Sequence, residues 1–291
     1  MAPATASSQV AALQQWAARV LLAELVARDD SVCEMFCGRG EDTALWVHAR
    51  ISSYLGVDLT PSSLEEAAEE WRAHGMPYAA AFHYADPSLT PLSLESVGRS
   101  APFNVVCCSP RVQDWFSSQP MASQFLSNVA ALLQPGGIFF GLLPDSSTLW
   151  YKQQRAIDAA KAAVGSGGAG ATRPVIRSSL YSIVFENPTP FEDSKAVFDL
   201  RFAFKSADPS SLPAKSLLVH FPTLIRLAEA AGLRLIDIIN LETLYNDTRR
   251  CVCWPTSVPP PCTSTPTLAA TPLRHQQQQR VQVPPAAWRV T

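Results

Sequence analysis

Apolar residues in the first half of the chain follow two alternating rhythms. Short, nearly continuous apolar runs of five to seven residues occur at 32–36 (VCEMF), 54–58 (YLGVD), 78–84 (YAAAFHY), 103–108 (FNVVCC) and 138–143 (IFFGLL). Runs of this kind predict strands buried on both faces. Between them lie segments with helical spacing. Residues 12–27 are rich in Ala and Leu, and a helix is expected to start at 41–50. Pro61 and Ser62 open a helix through Ala73, with Glu65 and Glu66 in its first turn, where acids suit the helix dipole. In the segment 121–133, Phe125, Val129, Leu132 and Leu133 fall near helical spacing, and Pro135-Gly136-Gly137 stops it. Further on, Leu217 to Ala231 reads as a helix ending at Gly232, followed by a sixth strand at 234–240. Tyr181 to Phe204 alternates in places and reads as a hairpin-like insertion. Strands alternating with helices predict an α/β fold, a mostly parallel sheet with helices on both faces. In such sheets the ligand crevice lies at the carboxyl ends of the strands.

Composition sets the boundaries. The run GSGGAGAT at 165–172 marks a flexible insertion around 160–175. Residues 255–291 hold 8 of the 24 prolines and the run Gln276 to Gln279. The expectation is one domain over 1–254 and a disordered Pro/Gln-rich tail over 255–291. Lys plus Arg is 23 against 25 for Asp plus Glu, a net charge of −2. That balance excludes a strongly cationic nucleic-acid binder, so any RNA contact must use a local patch. No stretch approaches the roughly 18 apolar residues of a membrane span, and Met1 to Val10 lacks the pattern of a signal peptide. The seven cysteines include Cys33/Cys37 and Cys251/Cys253, whose spacings fit no standard zinc pattern, so they read as reduced structural thiols and no metal site is expected.

The chemistry begins at FCGRGED, 36–42, directly after the first strand. Gly38 and Gly40 permit a sharp turn and close approach of a ligand to the backbone. Asp58 lies 20 residues after Gly38, at the end of the second strand, where a carboxylate would take the ribose hydroxyls of a nucleoside. A dinucleotide fingerprint wants a third glycine where this chain has Thr43, and Glu41 and Asp42 would crowd a pyrophosphate. S-adenosyl-L-methionine has no phosphate and carries a cationic sulfonium that tolerates nearby acids. Asp86, after the third strand, is then a candidate for the adenine amino group.

The run MFCGRGEDTALWVHARISSYLGVDLTPSSLEEAAEEW at 35–71 resembles the mRNA cap guanine-N7 methyltransferases, especially the divergent plant and algal type 2 form. The resemblance continues through PFNVVCC at 102–108, LLQPGGIFFGLLPDSSTLW at 132–150, LLVHFPTLIRLAEAAGL at 217–233 and LETLYNDTRR at 241–250. It implies a class I S-adenosylmethionine-dependent methyltransferase fold acting on capped RNA in the nucleus. Gly38 corresponds to the family's cofactor-contacting glycine, Asp58 to its ribose-binding acid and Asp86 to its adenine-binding acid. Ser109 stands where the family usually has Gln. Ala18 aligns with the family's lysine for the methionine carboxylate, with Arg19 as the neighbouring cation.

Departures from the family pattern cluster at the substrate side. Gln113 and Asp114 replace a His-Tyr pair at the guanine pocket, with Trp115 next to them as a candidate for stacking on guanine. His220, in VHFP, stands where an aromatic is common, and Ser216 aligns with a pocket glutamate. Arg111, Lys152, Arg155 and Arg177 are the candidate cations for the cap triphosphate, Arg being favoured for bidentate phosphate contact. Guanine N7 is already a lone-pair nucleophile, so positioning residues suffice and no general base is needed. The family's final antiparallel strand is expected either from Cys251 to Trp254 or not at all. Two other readings stay open on the sequence: a catalytically impaired subunit that binds cofactor or RNA, and a methyltransferase for a small molecule.

Overall fold

The computed structural model describes residues 6–108, 113–165, 173–187, 197–248 and 286–290. In chain order, the elements are α1 (Ala6–Leu25), β1 (Ser31–Met35), α2 (Thr43–Ala49), β2 (Ser53–Asp58), α3 (Pro61–Ala73), β3 (Ala79–Tyr84) and β4 (Phe103–Cys108). A 3-10 turn at Asp114–Ser117 leads to α4 (Gln119–Leu132), β5 (Leu133–Gly141) and α5 (Ser146–Gly165). Four strands follow: β6 (Ile176–Arg177), β7 (Tyr181–Phe185), β8 (Leu200–Ser206) and β9 (Ala214–Leu218). The chain then forms α6 (Phe221–Ala230), β10 (Leu233–Ile238), α7 (Leu241–Thr248) and β11 (Ala286–Val290).

Seven strands form one sheet in the order β10-β11-β5-β4-β1-β2-β3, and every pairing in it is parallel. The strand order reverses beside β1, which opens a crevice between the carboxyl ends of β1 and β4. Consecutive strand residues point to opposite faces. Cys33, Leu55, Val106 and Phe139 therefore pack on one side with α4 and α6, including Phe125, Val129 and Leu224. Val32, Tyr54, Val105 and Phe140 pack on the other side with Leu21, Trp46 and Leu64 of the first three helices. Burial on both faces explains why these strands read as continuous apolar runs.

A second sheet, antiparallel in the order β6-β7-β8-β9, buries one face against α5 through Ile183, Phe185, Phe202, Leu218 and Leu149. The Asp199 N–H donates to the Phe116 carbonyl at 3.3 Å and ties this sheet to the turn that follows β4. The small sheet thus adjoins the crevice.

Three expectations are corrected. Residues 217–231 are not one helix: Ala214–Leu218 pairs with β8, and the helix begins at Phe221 with Pro222 in its first turn. Apolar residues that suit a helix suited the strand equally, and proline marked the true start. Helix α5 was not anticipated. Asp145 caps it by accepting from the Thr148 N–H at 3.0 Å. The seventh strand exists, it is Ala286–Val290 within the supposed disordered tail, and it runs parallel between β5 and β10. The Pro/Gln-rich composition obscured a five-residue run, AAWRV, which pairs on both edges. Cys251 to Trp254 lie outside the described residues.

Candidate active site

The crevice is built from three strand ends. Beyond β1 the chain turns sharply through Phe36, Gly38 and Gly40, all with positive φ, at 57°, 59° and 81°. The two glycines adopt this conformation without strain. Phe36 does not, and its buried ring, stacked 6.2 Å from Phe125, holds it in place. A Cβ on Gly40 would meet the Ala67 Cα at 3.0 Å, so glycine lets the loop pack against α3. Gly40→Ala combines a left-handed residue with overpacking and is expected to cost about 2–4 kcal/mol, read as a lower midpoint in urea denaturation.

Asp58, at the end of β2, is only 2% exposed. Its Oδ2 accepts from the Gly38 N–H at 3.0 Å and its Oδ1 from the Thr60 N–H at 2.9 Å. The same carboxylate therefore fixes the glycine turn and the start of α3. An ionised carboxylate has about four acceptor positions, so it keeps capacity for two hydroxyls. The Ala85 N–H donates to the Asp58 carbonyl at 3.1 Å, which sets Asp86 beside it. Asp86 Oδ1 accepts from the Ser88 N–H and hydroxyl at 2.8 and 2.6 Å. Asp58 thus links the glycine turn to the loop after β3 that carries Asp86.

The cofactor carboxylate needs a cation. Ala18 is buried, whereas Arg19 is half-exposed and close enough to Asp42 to favour its ionised form. The Arg19 Nε is buried with no hydrogen-bond partner. Glu41 folds over the turn and accepts from the Arg39 N–H at 2.9 Å. Three acids around a glycine turn with no Cβ at Gly38 suit a nucleoside bearing a cationic sulfonium, so the residues present fit S-adenosylmethionine.

One part of the site was missed from sequence. Glu34, in the middle of β1, is 3% exposed. Its Oε2 accepts from the Tyr54 hydroxyl at 2.6 Å and the Trp46 Nε1–H at 3.0 Å. Burial, with Asp42 beside it, holds its carboxyl protonated well above the usual carboxylate range. Asp42 is pushed up to about 6 by burial and by Glu41, and it is hydrogen-bonded to Glu34. A neutral Glu34 donating to an ionised Asp42 therefore supports the glycine loop from beneath. The visible signal was an acid inside the apolar run VCEMF.

The substrate side differs from expectation. Trp115 offers no face to guanine: it is 1% exposed and stacks on Phe125 at 4.5 Å and 8°. Gln113 keeps a buried Oε1 with no partner in the same turn, and Asp114 is half-buried there. His220 precedes α6, its Nδ1 lies 2.9 Å from the Thr223 Oγ1, and partial burial lowers its pKa. Ser216 lies half-buried on β9, opposite Phe202. Lys152 donates to the Tyr181 hydroxyl at 3.2 Å on the α5 side of the small sheet. Arg155 lies 5.9 Å from the Tyr151 ring. Arg177 neighbours buried Ile176 and is exposed, so it projects from the opposite face. Lys152 and Arg177 therefore do not converge on one triphosphate. Ser109 and Arg111 lie outside the described residues. Cys33, Cys37, Cys107 and Cys108 are buried and form no disulfide among the described residues, and burial raises the pKa of Cys33, Cys37 and Cys107.

This sheet order, with a glycine turn after β1 and an acid closing β2, defines a class I S-adenosylmethionine-dependent methyltransferase fold. The CcbJ methyltransferase of Streptomyces caelestis shares it, with a TM-score of 0.50 at 16% identity, over 79% of this chain and 82% of that one. The chain belongs to the mRNA (guanine-N(7))-methyltransferase family, whose domain matches residues 7–251. Two relatives are each named mRNA cap guanine-N(7) methyltransferase 2. The one from Oryza sativa subsp. japonica is 35% identical over 75% of this chain and 62% of its own length. The one from Arabidopsis thaliana is 38% identical over 75% of this chain and 60% of its own length. This chain therefore spans about three-fifths of the length of these relatives.

Proposed function

We propose that this protein transfers a methyl group from S-adenosylmethionine to guanine N7 of the 5′ cap of mRNA, in the nucleus. The observation that carries the reading is Asp58, buried at the crevice and clamping the glycine turn of a chain of this family. Asp58 takes the ribose hydroxyls, Asp86 takes the adenine amino group and Arg19 reaches the methionine carboxylate. S-adenosylmethionine supplies the electrophilic methyl when bound. Guanine N7 attacks with its own lone pair, so the residues facing it orient and desolvate rather than remove a proton. Gln113, Asp114, His220 and Ser216 are the positioning candidates, and Lys152 is the cation for the cap triphosphate.

The test is calorimetric titration with S-adenosylhomocysteine and then with a cap analogue, followed by methyl transfer to a capped RNA. Binding of both ligands and transfer to N7 are expected. Binding of the first alone moves the substrate to a small molecule. Binding of both without transfer favours a catalytically impaired partner subunit, the reading that the buried Trp115 supports.

A further inference from the structure

The small sheet uses only one face for its core. Ile176, Ile183, Phe202 and Leu218 are buried toward α5. Strand alternation sends Arg177, Ser182, Arg201, Lys205 and Lys215 to the other face. The four cations among them are all exposed.

The register arranges them. Arg177 pairs with Ser182, and Ser182 pairs with Lys205, so two cations and a hydroxyl form one row across three strands. Neighbouring strands lie about 4.8 Å apart, which spaces the two cations by about 10 Å. Neither Arg177 nor Lys205 forms an ion pair among the described residues. The acids on this side are engaged: Glu186 with Lys215 at 3.4 Å and Asp199 with Arg201 at 2.7 Å. In the next row Lys215 faces Ala203, which pairs in turn with half-buried Val184.

Helix α3 carries the opposite sign. Glu65, Glu66, Glu69 and Glu70 lie on α3, and the whole chain carries −2. A polyanion is repelled by that side of the molecule and accepted by the open face of the small sheet.

We propose that this face binds the phosphates of the RNA chain beyond the cap, with Arg177, Lys205 and Lys215 as the contacts. The proposal rests on the reading of capped RNA as substrate and extends it from the cap to the strand attached to it. The β8 end of the sheet joins the turn after β4 through the Asp199–Phe116 hydrogen bond, and the Asp199 carboxylate there is paired with Arg201.

The test uses the full chain and an uncapped single-stranded RNA of about 20 nucleotides, followed by fluorescence anisotropy across a salt series. Arg177→Glu combined with Lys205→Glu is expected to weaken RNA binding about tenfold or more. The slope of log affinity against log salt becomes shallower by about 1.4, two contacts at about 0.7 each. Lys205→Glu alone is expected to raise KM for a capped 20-mer several-fold at unchanged kcat, and to leave a cap dinucleotide unaffected. Arg177→Gln with Lys205→Gln repeats the measurement with charge removed rather than reversed, should the double Glu variant melt early. Unchanged RNA affinity and salt slope overturn the proposal, as does an equal loss on the dinucleotide, which places the effect in the cap pocket. Unaltered binding to RNA with altered binding to an acidic peptide assigns the face to a protein and overturns it too. A wild-type chain that methylates no cap, yet loses salt-dependent RNA binding on substitution, refutes the cap reading and keeps the RNA face.

Discussion

Asp58→Ala loses S-adenosylhomocysteine binding by about 100-fold or more in titration calorimetry, while far-ultraviolet circular dichroism stays that of the folded protein. The magnitude follows from two hydrogen bonds to a charged group at about 1.5–3 kcal/mol each, with 1.4 kcal/mol for each tenfold. The same substitution leaves the Gly38 and Thr60 N–H groups without their acceptor, so the turn that receives the ligand also loosens. Asp58→Asn separates the two effects. An Asn side-chain oxygen can still accept from one N–H, so the turn is partly kept, but the charge that favours ribose hydroxyls is gone. Intermediate affinity is expected for it. An Asp58→Ala variant that binds cofactor as tightly as wild type would falsify the site assignment.

The second large effect is at Glu34, buried beneath the glycine loop. Glu34→Ala leaves the Tyr54 hydroxyl and the Trp46 N–H buried without an acceptor. At roughly 1–3 kcal/mol for each orphaned group, the loss is about 2–6 kcal/mol, or about 10 °C in Tm for a protein of this size. Glu34→Gln keeps the acceptor and a donor toward Asp42, and is expected to match or exceed wild-type Tm at pH 8. A Gln variant as unstable as the Ala variant would overturn the assignment of a neutral Glu34.

Both carboxyls titrate higher in the folded protein than in the unfolded chain. Above the unfolded values near pH 4, the unfolded chain has already released protons that the folded protein still holds, so stability falls as pH rises. The Asp42 part is fully present below about pH 4 and is lost by the time pH passes its folded value of about 6. The Glu34 part is lost at higher pH still, because its folded carboxyl titrates well above the usual range. Urea unfolding at pH 5, 6, 7 and 8 should show wild-type stability declining across the series. In Glu34→Gln the decline above pH 6 should be shallower, since Gln has no proton to lose. Equal slopes in the two proteins would remove Glu34 from the account.

The alternation of apolar runs with helical spacing was sufficient to locate β1 to β5, α1 to α4 and β10. These elements are local in cause: each strand is buried on both faces and each helix begins or ends at a residue with a backbone reason. The glycine turn and its acids were legible for the same reason, since Gly38 and Gly40 are needed where φ is positive and Asp58 must end its strand to reach them. The helix expected at 217–231 failed because its first residues are claimed by pairing with β8, a partner distant in sequence. Ala286–Val290 was hidden in a proline-rich tail because five residues become a strand only when two open edges receive them.

The substrate side shows the same division. The sequence determined the class of chemistry, through a glycine turn and carboxylates at set distances along the chain. Tertiary structure alone decided which side chains face which way. It drew Trp115 into the core against Phe125, placed Lys152 and Arg177 on opposite faces of one sheet, and brought Glu34, Tyr54 and Trp46 together under the glycine loop. The reason is physical: local patterns encode which residues a helix or strand will bury, whereas contacts between elements depend on register and on the faces that packing leaves open.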